Sequence, residues 1–204
     1  MRDSLYSYIS SNFKPGEPFF YKDLALSSSR DSLRHQIARL LKDKKILKYT
    51  NGTFYIPKKS LLGLSPVLST ESVAVSKYIK HRERIIGFYS GQTFANQIGI
   101  SLQVPVVKEI ITNESSAILR TVQFNKRSFQ IRKPKVPINN DNYKVLQLLS
   151  LLENYDKYID HEVTDADEKI RDYARENGIT RDDLYQYAGY YNSKALRFIQ
   201  KVGL

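Results

Sequence analysis

Apolar side chains recur at helical spacing from the start of the chain. Leu5, Tyr8 and Ile9 form one stripe and predict a first helix over residues 3–13. The Pro- and Gly-containing stretch 14–18 breaks it. A short second helix is predicted over residues 20–26. Three serines follow at 27–29, and serine ahead of a periodic run is an N-cap signal. Leu33, Ile37, Leu40 and Leu41 then fall on one face of a third helix, residues 30–44. Two extended runs, 46–49 and 53–56, flank Thr50-Asn51-Gly52. Asn-Gly between such runs is the strongest short-range hairpin signal, and Pro57 closes the second run.

Beyond a Gly- and Pro-containing linker at 58–69, the pattern predicts a helix over 70–84 and a short helix over 92–98. Ser90 would cap the short helix and Gly99 would end it in a left-handed conformation. Residues 106–112 read as a buried β-branched strand. Runs 119–124 and 128–133 alternate with period two around Asn125-Lys126-Arg127 and predict a second hairpin, with Phe129 and Ile131 on one face and Gln130 and Arg132 on the other. The remainder is helical: 143–159, 165–177 ended by Gly178, 180–189 and 193–201. The expected fold class is α+β. The expected domains are 1–60, binding DNA, and 70–204, with a mixed α/β part over 70–135 and a helical tail over 138–204.

Charge narrows the function. Lys and Arg number 32 and Asp and Glu 21 in 204 residues, a net of +11. Residues 1–60 hold 12 basic and 5 acidic side chains (+7), residues 61–136 hold 11 and 4 (+7), and residues 137–204 hold 9 and 12 (−3). A basic front and an acidic tail point to a polyanion at one end only. No cysteine exists, which excludes disulfides, thiolate nucleophiles and cysteine-ligated zinc. Three histidines far apart in sequence (His35, His81, His161) argue against a metal site, and no cofactor is expected. No apolar run approaches the roughly 20 residues of a bilayer span. The N-terminus lacks a signal-peptide core. The expectation is a cytoplasmic protein without a membrane partner.

Helix, short helix, turn, helix and hairpin is the order of a winged helix-turn-helix. Opposite Leu33 and Ile37, the third helix carries Asp31, His35, Ala38, Arg39 and Lys42, with Arg34 on the flank and Arg30 in the first turn. Ala38 would let that face approach a groove closely. Ser28 and Ser29 mark a helix N-terminus whose free N–H groups suit a phosphate. Lys48, Thr50 and Asn51 lie on the hairpin, and Lys58 and Lys59 follow it, a basic wing suited to backbone or minor groove. The candidate DNA-binding set is therefore Ser28, Ser29, Arg30, Arg34, His35, Arg39, Lys42, Lys48, Thr50, Asn51 and Lys58. Arg120, Lys126, Arg127, Arg132, Lys133 and Lys135 cluster within 16 residues and form a candidate second surface for DNA or an acidic partner.

Two stretches carry a family resemblance. Residues 29–40, Ser-Arg-Asp-Ser-Leu-Arg-His-Gln-Ile-Ala-Arg-Leu, with the wing ending Gly52-Thr53-Phe54-Tyr55-Ile56-Pro57, resemble the N-terminal domain of AbiEi-type antitoxins. Residues 88–105, from Phe88-Tyr89-Ser90-Gly91 to Gln103-Val104-Pro105, are similar to that family's middle block and are the more specific part. The resemblance covers roughly residues 3–135. It implies an antitoxin of a bacterial abortive-infection system, type IV, that represses its own operon through inverted repeats. It also implies a nucleotidyltransferase-like toxin as functional partner without a stable complex, and antitoxicity in the C-terminal domain. Two copies would sit on the operator, with a monomer or weak dimer in solution. The family's Gly between helix and wing is missing from Lys42-Asp43-Lys44-Lys45, so either a non-Gly residue turns left-handed there or the helix ends differently.

Other chemistry is poorly served. Gly91 and Gly99 are eight apart with no Gly-Lys-Ser/Thr, so this is no phosphate loop. A nuclease needs clustered strand carboxylates, and the strands offer only Glu109. No nucleophile elbow occurs, and no enzymatic activity is expected. Gln92, Asn96 and Gln103 could form a polar partner surface, and the tyrosines at 185–191 could form either core or interface. The alternative function is a transcriptional regulator whose C-terminal domain senses a ligand or protein, with no toxin.

Overall fold

Leu5 and Ile9, one turn apart on α1 (Ser4–Asn12), are both buried. With Phe13 they join Phe19, Leu33, Ile37, Leu40, Ile46 and Phe54 in one core. That core belongs to the first of two units, Met1–Lys77 and Tyr78–Leu204. The computed structural model describes residues 4–24, 29–58 and 68–203, and the chain is α+β.

In place of the helix predicted at 20–26, Phe19 and Phe20 lie in β1 (Pro18–Phe20), followed by one 3-10 turn, Tyr21–Leu24. Residues 25–28 lie outside the described residues. A sheet neighbour decides this: Pro18, Phe19 and Phe20 pair antiparallel with Tyr55, Phe54 and Thr53 of β3 (Thr53–Tyr55). The Asp23 carboxylate then accepts the Phe20 N–H at 2.7 Å and turns the chain. α2 (Arg30–Lys42) follows, and β2 (Leu47–Thr50) completes a three-stranded sheet in the order β1-β3-β2.

α3 (Thr70–Tyr78) is shorter than the predicted 70–84 helix. The run Lys80-His81-Arg82-Glu83-Arg84 has no apolar stripe to hold a helix against a core. It forms a small hairpin instead, β4 (Lys80–His81) and β5 (Arg84–Ile85), with Arg82 left-handed at φ 55°. The Tyr49 hydroxyl bonds Thr70 Oγ1 at 2.9 Å, and the division between units falls at the end of α3, a helix later than the boundary read at residue 70.

The second unit holds a four-stranded sheet of order β6-β7-β9-β8: β6 (Gly87–Ser90), β7 (Lys108–Thr112), β8 (Leu119–Phe124) and β9 (Arg127–Arg132). β7 and β9 are parallel and the other pairs antiparallel. β6 leads directly into α4 (Gly91–Gln97). The strand predicted from 106 starts at Lys108, because Val106 follows Pro105 in a bend and is 96% exposed.

The helix predicted over 143–159 breaks at Glu153-Asn154 into α5 (Tyr143–Leu152) and α6 (Tyr155–Tyr158). α5 is apolar on nearly every side and lies at the centre of the helical core, beside Ile170 of α7 (Ala166–Glu176), Leu184 of α8 (Arg181–Ala188) and Ile199 of α9 (Ser193–Val202). Thr180 and Asp183 form a reciprocal capping box on α8. Gly178 and Gly203 are left-handed where α7 and α9 end.

Candidate nucleic-acid interface

α2 is built to present one face. Ser29 caps it, its Oγ accepting the Ser32 N–H at 3.3 Å. Leu33, Ile37 and Leu40 are buried beneath it, which leaves His35, Ala38, Arg39 and Lys42 exposed on the far side, with Arg34 exposed on the flank and Arg30 exposed in the first turn. Four cations face solvent there against Asp31, which reaches Arg34 Nη1 at 3.4 Å. Both partners are exposed, so this pair is weak and an incoming anion can displace it. Asp31 also sits in the first turn, where its charge opposes an anion at the helix N-terminus. Ser28 lies outside the described residues, as does Lys59.

The far end of α2 answers the missing glycine. Lys44 is itself left-handed, at φ 53°. The Lys45 N–H donates to Leu40 O at 3.0 Å and the Lys44 N–H to Leu41 O at 3.1 Å. These are the two bonds of a Schellman end, made here with lysine. The chain then turns into Ile46, which is fully buried, and on to the β2–β3 hairpin.

The tip of that hairpin is Asn51-Gly52, with Gly52 at φ 72°. Gly52 O accepts the Tyr21 N–H at 3.0 Å, which ties the tip to the 3-10 turn. Lys48 and Asn51 are exposed and Thr50 is half-buried. Lys58 is exposed but lies at the other end of the sheet, packed beside Gly16, whose N–H bonds Ile56 O at 2.9 Å. Six residues of extended chain separate it from Gly52, roughly 20 Å. The structure therefore gathers the α2 cations on one face and the Lys48–Asn51 stretch on the hairpin, and leaves Lys58 away from the hairpin tip.

The second basic cluster is divided. Arg120 pairs opposite Ile131 and shares its face, whereas Arg132, the next residue along, faces the other way. Arg120 lies 5.9 Å from the Tyr78 ring and donates to Glu114 O at 3.2 Å. Lys126 and Arg127 are at the hairpin tip, a strand's length (roughly 17 Å) from Lys133. Arg132 pairs with Glu109 at 3.5 Å, and Lys135 pairs with Glu153 at 2.5 Å. These six side chains do not form one continuous surface.

The predicted polar partner surface is also spent internally. Gln92 Nε2 donates to Ser101 Oγ, Asn96 Nδ2 to Ser101 O at 3.1 Å, and Gln103 Nε2 to Asp160 Oδ1 at 3.4 Å. Ser101 Oγ and the Leu102 N–H bond Asp160 Oδ2 at 2.8 and 2.6 Å. The Ser101 hydrogen bond, then the Leu102 N–H, hold the Asp160 carboxyl below its usual range. Ser90 occupies the N-cap position of α4 without capping it by its side chain, contrary to the sequence reading. Of the tail tyrosines, Tyr185 and Tyr190 are exposed, while Tyr187 and Tyr191 pack against the core.

Sequence reasoning missed what the sheet collects on its other face. Register places Ser90, Glu109 and Ile111, and Gln130 and Arg132, side by side on one face. Ser90, Glu109, Ile111 and Arg132 line a cleft of about 540 Å³ under α5 and α6. Alternation marks each pair, but the order of strands that brings them together is not written in it. Among the described residues no group of three or more His, Asp or Glu is placed to hold a metal ion. No helix of the described residues is long and apolar enough to cross a membrane.

Fold and surface define a two-unit α+β chain with a cationic helix face in one unit and a charged cleft in the other. The chain belongs to the DUF6088 family, a family of unknown function, which it matches over residues 7–179. That match takes in most of the first unit and the second unit as far as the start of α8. No curated protein matches the chain.

Proposed function

We propose that this chain is a cytoplasmic, non-enzymatic DNA-binding antitoxin of AbiEi type that represses its own operon. The observation that carries the reading is the exposed side of α2, with Arg34, Arg39 and Lys42 around Ala38 and Arg30 in the first turn, over a buried Leu33–Ile37–Leu40 stripe. The order α1, β1, turn, α2, β2, β3, with β3 between its two neighbours, supports a winged helix-turn-helix. In this reading Arg34, His35, Arg39 and Lys42 face the major groove, Arg30 and the Ser29-capped first turn meet the backbone, and Lys48, Thr50 and Asn51 form the wing. Two copies occupy an inverted repeat. The second unit counteracts a nucleotidyltransferase-like toxin without a stable complex.

A mobility-shift titration of the DNA upstream of the chain's own gene tests this. Binding is expected at low salt. Arg34→Ala with Arg39→Ala is expected to weaken it about 100-fold, at about 1.4 kcal/mol per arginine. Unchanged binding by that double variant refutes the groove assignment. Rescue of growth by the chain when the neighbouring toxin is co-expressed tests the antitoxin half. A second reading, a regulator whose second unit senses a ligand, is favoured by the cleft on the four-stranded sheet. It predicts no toxin gene alongside.

A further inference from the structure

The cleft lies wholly within the second unit, so its chemistry stands apart from the DNA reading. One wall is the sheet face with Ser90, Glu109 and Arg132, and the other carries Lys157 and Tyr158 of α6. Lys133 and Lys135, just past β9, complete the charged lining together with Glu153. Two of the four cations are matched: Arg132 by Glu109 at 3.5 Å and Lys135 by Glu153 at 2.5 Å. Lys133 and Lys157 have no acidic partner among the described residues, and Lys157 lies over the Tyr158 ring at 5.2 Å. The cleft therefore carries two uncompensated positive charges. A phosphate monoester carries about −1.5 to −2 at neutral pH.

The remaining lining selects among phosphates. Phe88, Ile111 and Leu146 supply an apolar back wall that an inorganic ion would leave bare. The Ser90 hydroxyl is buried and has no hydrogen-bond partner among the described residues. Glu109 is only 15% exposed and meets Arg132 at a long 3.5 Å, so it retains acceptor capacity. An apolar wall beside unspent polar groups suits a flat body edged with N–H donors. A nucleobase is such a body, and the cleft's volume is in the range of small-ligand sites.

We propose that this cleft binds a free nucleoside monophosphate, its phosphate held by Lys133 and Lys157 and its base packed against the apolar wall within reach of Glu109. Titration calorimetry on the full chain tests it with the four nucleoside 5′-monophosphates, inorganic phosphate and adenosine as probes. At least one monophosphate is expected to bind with a Kd below about 1 mM, about tenfold tighter than phosphate or nucleoside alone. Lys133→Ala with Lys157→Ala is expected to lose about tenfold in affinity with an unchanged melting curve, since both side chains are exposed. No monophosphate binding below about 1 mM overturns the proposal, as does equal binding by the lysine variant. Phosphate binding as tightly as the nucleotides overturns it in favour of a bare anion site. Tighter binding of a 5′-phosphorylated oligonucleotide that is lost in the lysine variant overturns it in favour of a nucleic-acid strand end. The lysine variant separates the cleft from the α2 face, so this proposal and the repressor reading fail or succeed independently.

Discussion

Lys44 is a residue whose identity and conformation disagree. A left-handed non-glycine costs about 1–2 kcal/mol, and glycine returns part of that through the unfolded chain, about 0.5–1 kcal/mol. Lys44→Gly is therefore expected to raise the unfolding free energy by roughly 0.5–1 kcal/mol, read from urea denaturation. The strain is tolerated because the two Schellman bonds and the buried Ile46 hold the turn from both sides. Ser90 shows the opposite case. Its sequence neighbourhood predicts a helix cap, yet its hydroxyl, in the cleft wall, has no partner among the described residues. A capping residue is legible from sequence; whether its side chain reaches the backbone depends on a rotamer set by packing.

At the scale of elements, α2 stands on its buried stripe. Ile37→Ala is expected to cost about 2–5 kcal/mol of stability by denaturant unfolding, because it opens a cavity beneath the helix. Arg34→Ala, on the exposed side, is expected to stay within about 0.5 kcal/mol. The segment that follows α4 is held differently, by one carboxylate. Asp160 has a depressed pKa in the folded chain, so its contribution is present above the ordinary 3.8 and is lost as pH falls through the lower folded value. The Leu102 amide resonance is expected to hold steady from neutral pH down to about pH 5 and to shift only below 3.8. Asp160→Asn is expected to abolish that titration. The 143–159 run is legible as helical from its apolar positions. Its break is not: Glu153 keeps helical angles and Asn154 leaves them, at φ −127°, beside Glu153 contacts to Lys135 and the Asn192 N–H that are remote in sequence.

At the scale of the whole molecule, charge is the long-range term. Residues 1–60 carry +7 and residues 137–204 carry −3. If the α2 face meets phosphate, affinity for operator DNA falls steeply with salt as counterions are released. Arg30→Ala, at the backbone, is then expected to reduce the slope of log affinity against log salt by about 1, whereas Arg34→Ala with Arg39→Ala lowers affinity with little change of slope. A slope that falls by about 2 in the double variant would assign those arginines to phosphates instead of the groove.

What the chain's order of residues determined by itself was local. The stripe on α2, the Asn-Gly hairpin and the glycine end of α7 all depend on groups a few residues apart, where spacing and φ preference act directly. The tertiary structure decided what distance in sequence hides. Phe19 and Phe20 became a strand because β3 lay alongside them. Arg120 and Arg132 were parted because successive strand residues face opposite ways. Glu109, Ser90 and Arg132 were brought to one cleft by a parallel β7–β9 pairing between strands some twenty residues apart, a register no local pattern encodes.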